Sequence, residues 1–354
     1  MRSAEQHRRP RLDDVAAAAK VSPATVSLVL REIAGPSEST RRHVMAVAAR
    51  LGYRPDRAAS ALASHRSRLI GMVMDINNPF HTQLVEDVYE VAEDHGYHIL
   101  LSTLTRSNSE TNAIETLLDS RCEALVLLGT QIPTQRITAL GKQLPLAVVG
   151  RAMPASAGLI AVRTDDQAGL DQAVQHLTSL GHRSIAYVDG GPGTAPTFRR
   201  RAYQGAMRRH QLADHIHIIQ GGQTENSGAH AASSILLERP LPTAVVTFND
   251  RCAMGFMDSM VRARIDIPTD MSVIGYDNSP IAGLTHINLT TISQNTHELS
   301  QRAMSALIDR LETHRGGHLD VVVPPQLVVR GTTGRHDGPA VAADATTPGR
   351  DVMP

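Results

Sequence analysis

The sequence predicts a small all-α head followed by a large α/β body, and three observations carry that expectation. Residues 12–52 break into three short amphipathic helices with start and stop signals. From residue 69 onward, short β-branched runs alternate with helical stretches. Charge divides at the same place: residues 1–68 hold 13 Lys and Arg against 6 Asp and Glu, whereas the rest hold 22 against 29. The net charge of zero over 354 residues therefore conceals a basic head on an acidic body.

The first helix takes its apolar stripe from Leu12, Val15, Ala16 and Ala19, spaced i, i+3, i+4, i+7, and stops near Lys20 and Val21. Ser22 is placed to cap the second helix, and Pro23 suits its first position, where a missing N–H costs nothing. Val26, Val29, Leu30 and Ile33 are expected to face inward, leaving Ala24, Ser27, Leu28 and Arg31 on the opposite side. Ser37 opens the third helix, Val44, Val47, Ala48 and Leu51 form its buried stripe, and Gly52 stops it in the left-handed conformation. Residues 56–62 read as a fourth helix, initiated by Pro55. About seven residues cannot repay helix nucleation in water, so this hinge is expected to order only against a partner. A helix-turn-helix layout also occurs in bundles that never touch nucleic acid. The basic surplus argues for a polyanion, because neutralising phosphates releases condensed counterions.

In the body, LIGMVM, HILLST, ALVLLG, LAVVG, SIAYVDG, AVVTFND and SVIGYD read as strands, each ending on Gly, Asn, Asp or Thr. Thr82–Asp94 reads as the helix after the first strand. Strands alternating with helices predict doubly wound parallel units, whose ligands collect beyond the carboxyl ends of the strands. About 260 residues suffice for two subdomains with full cores.

Other chemistries find little support. GGPGT at 190–194 lacks the Lys-Ser/Thr ending of a phosphate loop and reads as a strand-to-helix turn. Among 17 histidines, His215 and His217 share a face if their segment is a strand, but no cysteine or carboxylate cluster joins them. No metal, cofactor or catalytic residue is expected. Cys122 and Cys252 are expected to be buried reduced thiols, which suits a cytoplasmic protein; no secretory signal or membrane-length apolar run is read. Residues 334–354 lack periodicity and are expected to be a disordered tail without the heptads of a tetramerising helix.

Several segments resemble signatures of the lactose-repressor and purine-repressor (LacI/GalR) family of bacterial transcription regulators. They are DDVAAAAKVSPATVSLVL, STRRHVMAVAARLGYRP, SRLIGMVMDINNPF, LGHRSIAYVDGG, FND, DMSVIGYDN, LTTISQ and PPQLVVR, in family order across residues 12–332. The resemblance implies a helix-turn-helix DNA-binding head plus hinge helix, joined to an α/β two-lobed periplasmic-binding-protein-like (type I) domain. The expected boundaries are 1–55 for the DNA-binding domain, 56–68 for hinge and linker, 69–333 for the effector-binding and dimerisation domain, and 334–354 for the tail. The N-lobe would take about 69–164 and 292–324, the C-lobe about 165–291 and 325–333, with the chain crossing near 164, 291 and 324.

For the head, the resemblance implies DNA contacts by Ser22, Ala24, Thr25, Ser27, Leu28, Arg31, Arg41, Tyr53, Arg57, Ala61 and Leu62. Thr25 and Ser27 suit backbone positioning more than base reading. The family usually has arginine at position 28; Leu28 offers only apolar contact, for instance to a thymine methyl. Arg31 stands where asparagine is frequent and could reach a base or phosphate. Leu62 matches a leucine that wedges into the minor groove and bends the duplex. For the cleft, the resemblance implies effector binding by Phe80, His81, Arg199, Phe248, Asn249, Asp277 and Gln294. Gly150, followed by Arg151, replaces an acidic position, removing one acceptor of sugar hydroxyls. A fork donor, a carboxylate and amides around aromatic faces suit a polyhydroxylated ring.

The implied function is a sequence-specific transcriptional repressor, a homodimer on a pseudo-palindromic operator, nucleoid-associated when bound, whose DNA affinity is set allosterically by a sugar or sugar derivative. The alternatives are an orphan regulator without effector, or a sugar-binding protein that never touches DNA. A sugar-processing enzyme would need a nucleophile or acid-base pair that the sequence does not offer.

Overall fold

The computed structural model describes residues 10–30, 33–53, 66–155 and 158–336. The chain divides into two compact units, Met1–Arg68 and Leu69–Pro354.

The first unit packs helices α1 (Leu12–Ala19), α2 (Pro23–Leu30) and α3 (Glu38–Leu51) around Val15, Ala16, Ala19, Val26, Val29, Val44, Val47 and Ala48. Each boundary has a local cause. Lys20 closes α1 in the left-handed region, at φ 55°. Ser22 Oγ accepts from Thr25 N at 3.1 Å, and Ser37 Oγ accepts from Thr40 N at 3.2 Å. Gly52 ends α3 at φ 64°, a conformation that costs glycine little. One inward assignment is corrected: Ile33 is 37% exposed. Its N–H donates to Leu28 O, a six-to-one closure that takes the chain off the helical phase before residue 33. Arg31 and the whole hinge segment 56–62, with Arg57, Ala61 and Leu62, lie outside the described residues, as does 337–354.

The second unit is two doubly wound halves. The first contains β1 (Leu69–Asp75), β2 (His98–Leu104), β3 (Ala124–Leu128), β4 (Leu146–Val149), β5 (Leu159–Thr164) and β11 (Leu319–Val323), in the order β11-β5-β4-β3-β1-β2. The second contains β6 (Ile185–Val188), β7 (His217–Ile219), β8 (Ala244–Thr247), β9 (Ser272–Asp277), β10 (Thr290–Ser293) and β12 (Gln326–Val328), in the order β12-β10-β9-β8-β6-β7. All neighbours run parallel except β10 and β12.

Helices cover both faces of each sheet. On the first sheet, α4 (Pro79–Asp94) and α11 (Thr296–Thr313) bury one face, and α5 (Glu110–Asp119) and α6 (Thr134–Gly141) bury the other. On the second, α7 (Asp166–Ser179) and α8 (Thr194–Arg209) oppose α9 (Glu225–Ile235) and α10 (Asp250–Arg262). Two-sided burial explains why the strands are almost wholly apolar: along β1, Ile70, Met72 and Met74 feed one core while Val73 feeds the other. The chain passes between sheets after Thr164, after Ser293 and after Val323.

Three details depart from expectation. Helix α4 begins at Pro79, not Thr82, because Asn78 Oδ1 accepts from Phe80 N at 3.1 Å and Pro79 takes the first helical position. His215 ends a short 3₁₀ turn whereas His217 opens β7 and meets Glu238 at 3.2 Å, so the two histidines do not share a strand face. Among the described residues no group of His, Cys, Asp or Glu could hold a metal ion. The first residues of the supposed tail are fixed: Gly334 N donates to Ser272 Oγ at 3.0 Å, and His336 N donates to Leu180 O at 2.8 Å while its ring stacks on His182.

GGPGT does form the turn from β6 to α8. Cys122 and Cys252 are free and buried, and burial pushes their thiols up to about 11 and about 12. Among the described residues no helix is long and apolar enough to cross a membrane.

Candidate functional site

A cavity of about 510 Å³ opens where the carboxyl ends of the two sheets face each other. Its walls come from Asp75 of β1, Leu128 of β3, Val149 of β4 and Thr164 of β5 on one side, and from Asp277 of β9, the turn after β8 and Gln294 after β10 on the other. This is the place where a parallel sheet presents polar strand ends and helix N-termini together.

Arg199 sits in the second turn of α8 and is buried. Its Nε donates to Asp166 Oδ1 at 3.1 Å and its Nη1 donates to Phe248 O at 2.8 Å, with Asp277 Oδ1 at 3.8 Å. The guanidinium lies 3.7 Å from the Tyr276 ring centre and 4.7 Å from that of Phe248. Burial alone would discharge it; Asp166, Tyr276 and Asp277 outweigh that and hold the charge. A solvated basic face is therefore excluded for Arg199, although its neighbours differ: Arg200 pairs with Asp189 at 3.1 Å and Arg201 lines the cavity.

The carboxylate side is a continuous network. Tyr276 Oη donates to Asp166 Oδ1 at 2.8 Å, Gln294 Nε2 donates to Asp277 Oδ1 at 2.6 Å, and Thr164 Oγ1 donates to Gln294 Oε1 at 2.9 Å. Asp277 has φ 117° and Asn278 φ 53°, left-handed conformations that side chains rarely adopt. The strained turn is held by buried Asp250, which accepts from Ser279 N at 2.7 Å, Ser279 Oγ at 2.8 Å and Thr291 Oγ1 at 2.6 Å. Desolvation pushes Asp277 up to about 7, against the pull of Arg199.

That shift fixes a sign. The folded chain keeps the Asp277 proton where the unfolded chain has lost it, so this group's contribution to stability is present below the ordinary carboxylate range and is lost as pH rises through about 7. Asp277→Ala is expected to flatten the fall in melting temperature between pH 5 and pH 8, which calorimetry checks.

The remaining residues are committed in part to the fold. Asn249 caps α10: its Oδ1 accepts from Cys252 N at 2.9 Å and its Nδ2 donates to Gln223 O at 3.1 Å. His81 Nδ1 accepts from Asp75 N at 3.0 Å, which leaves the proton on Nε2, and burial holds the ring neutral down to about 4. A Cβ on Gly129 would stand 2.9 Å from that Nε2, so glycine is required beside it. Gly150 lines the cavity, while Arg151 turns to the Ile132 carbonyl at 2.8 Å and Thr134 Oγ1 at 2.7 Å.

Phe80, His81, Arg199, Phe248, Asn249, Asp277 and Gln294 all line this one cavity. Sequence reasoning missed Asp166 and Thr164, whose signal was the polar TDD at the end of LIAVRT, and Tyr276 and Asp250, which adjoin chosen residues. Two contacts also join the walls at the mouth: Arg251 Nη1 donates to Asn77 O at 2.7 Å while gripping Glu225 at 2.8 and 2.6 Å, and Thr194 N donates to Gln131 Oε1 at 3.4 Å.

In the first unit, Ala24 is exposed and Ser27 and Leu28 are half-buried on α2. The Ser22 and Thr25 hydroxyls meet at 2.8 Å as part of the cap. Arg41 donates to the Val29 and Ile33 carbonyls at 3.3 and 3.1 Å, and Tyr53 packs on the core, so both also serve the head's own packing.

A basic three-helix head joined in sequence to a two-sheet body with a ligand-sized cleft defines a helix-turn-helix transcription regulator. Residues 11–56 match the family described as Bacterial regulatory proteins, lacI family, and residues 174–333 match Periplasmic binding protein-like domain. The HTH-type transcriptional repressor CytR of Escherichia coli (strain K12) is 30% identical over 339 residues, 94% of this chain and 99% of that protein. The Lac repressor dimer bound to operator and the anti-inducer ONPF superposes with a TM-score of 0.81, at 28% identity, over 92% of this chain and 100% of that one. A LacI family transcriptional regulator from Enterococcus faecium with bound ribose superposes at 0.69, with 26% identity, over 76% and 99%. The chain belongs to the LacI family of bacterial regulatory proteins.

Proposed function

We propose that the chain is a homodimeric repressor whose grip on a pseudo-palindromic operator is set by a sugar or sugar derivative held in the cleft. The observation that carries this reading is the Asp166–Arg199–Asp277–Gln294 network, anchored on buried Arg199 and Gln294, facing a cavity of about 510 Å³. Its donors and acceptors are fixed before any ligand arrives, and aromatic faces flank them, which is what vicinal hydroxyls on a ring require. The relatives support the same chemistry: one was solved with operator and anti-inducer, another with ribose.

The head supplies the DNA contacts, with α2 in the major groove and Leu28 reading an apolar feature of a base edge. Residues 56–62 act as a conditional hinge that folds against its twin and the minor groove. Ligand closure of the cleft changes the separation of the two hinges, and linkage requires operator and effector to alter each other's affinity by one factor. The cavity binds and does not catalyse: its carboxylates serve hydrogen bonds and charge balance.

The test is a titration of labelled promoter fragments, with and without sugars and nucleosides. Asp277→Ala is expected to abolish the effector response while operator affinity stays within about twofold; a retained response removes Asp277 from the site. Leu62→Ala is expected to weaken operator binding ~10-fold, about 1.4 kcal/mol, while sparing effector binding. Unchanged operator affinity rejects the wedge.

A further inference from the structure

Resting on the effector reading above, we propose that the cavity selects an uncharged polyhydroxylated ring and rejects phosphorylated or carboxylated derivatives of it. Three features of the cleft point to this selection.

The first is the charge balance. Five carboxyl groups, one of them the Asp277 that desolvation pushes up to about 7, line the cavity against Arg163, Arg199 and Arg201. Arg163 is paired with Asp320 at 3.2 Å, and Arg199 is shared between Asp166 at 3.1 Å and Asp277 at 3.8 Å. Among the described residues no buried cation lining the cavity is left without a carboxylate: Arg201, the third, is exposed at its edge, and His81 stays neutral above about 4. An incoming phosphate would meet a surplus of negative charge where water screens it poorly.

The second is the state of the helix termini. Helices α4, α7, α8 and α10 all begin beside the cavity, and free N-terminal amides there would form an anion site. In each, one amide of the first turn is already taken by a side-chain oxygen of the protein itself. Asn78 accepts from Phe80 N at 3.1 Å, Asp165 from Ala168 N at 3.1 Å, Asn249 from Cys252 N at 2.9 Å, and Gln131 from Thr194 N at 3.4 Å.

The third is the apolar wall. The chain has four phenylalanines and no tryptophan, yet Phe80, Phe198 and Phe248 all line this cavity. Phe198 keeps 43% of its surface exposed, a platform for the C–H face of a ring. Hydroxyls on that ring can donate to Asp166 and Asp277 and accept from Arg199 without bringing charge.

The experiment is calorimetric titration and thermal shift of the full chain with matched pairs: ribose and ribose 5-phosphate, glucose and glucose 6-phosphate, cellobiose and cellobionic acid, adenosine and its 5′-monophosphate. The expected result is a neutral member that binds, with its acidic partner weaker by on the order of 100-fold, the factor for one added charge about 5 Å from another at an effective dielectric of about 20. Asp166→Asn is expected to narrow that ratio, which a merely structural role of Asp166 would not do. An acidic member that binds as tightly as its neutral parent overturns the charge selection alone. Silence from every neutral and acidic member overturns the effector reading, and this inference with it.

Discussion

Arg199→Met is expected to lose effector binding altogether and to melt on the order of 10 °C below the parent at pH 8. The side chain is buried between Tyr276 and Phe248, and it neutralises Asp166 and Asp277 together. Methionine keeps the apolar contact with both rings, so the loss isolates the charge. Removing one partner of a buried ion pair leaves the other uncompensated, at a cost of about 3–5 kcal/mol, and a body of this size shifts by roughly 2–4 °C per kcal/mol. The deficit has a pH signature. Without the guanidinium, desolvation of Asp277 is relieved only by holding its proton, so the gap between variant and parent narrows as pH falls from 8 to 5. Calorimetry at both values decides: a gap that does not change with pH would show that packing, not charge, is what Arg199 provides.

Much of this site was legible in the sequence because strand ends are punctuated. FND, VIGYD and TTISQ each close an apolar run on a polar residue, and Asn249, Asp277 and Gln294 stand at those ends. The pairing among them was not legible. Asp166 is 33 positions from Arg199 and 110 from Tyr276, and only the crossing of the chain after β5 brings the three together. Short strands were hard to read for the same reason: β7 and β12 have three residues each, too few to show a period, and they exist because a neighbouring strand offers them hydrogen bonds. Ile33 followed the helical phase on paper, yet a local six-to-one closure turned it outward. Gly334 and His336 read as tail because nothing near them in sequence holds them; their partners, Ser272 and Leu180, lie far away along the chain.

The pairing of helices α9 and α10 carries the second large effect. A Cβ on Gly228 would lie 2.0 Å from Cys252 O, and one on Gly255 would lie 1.8 Å from Glu225 O. Both obstacles are backbone, so no rotamer change relieves them and the helices must part. Gly255→Ala is therefore expected to destabilise the body by about 3 kcal/mol, at the upper end of ordinary overpacking. Separation reaches the cleft directly. Asn249 caps α10 while holding the Gln223 carbonyl just ahead of α9, and Arg251 of α10 grips Glu225 of α9 while bonding Asn77 across the mouth. Effector affinity should consequently fall with stability, although residue 255 does not line the cavity. Gly317→Ala provides the comparison, since its Cβ would meet nothing within 4 Å and the change should stay within about 0.5 kcal/mol. Equal melting temperatures for the two variants would mean that the close helix contact is not what sets the geometry of this half of the cleft.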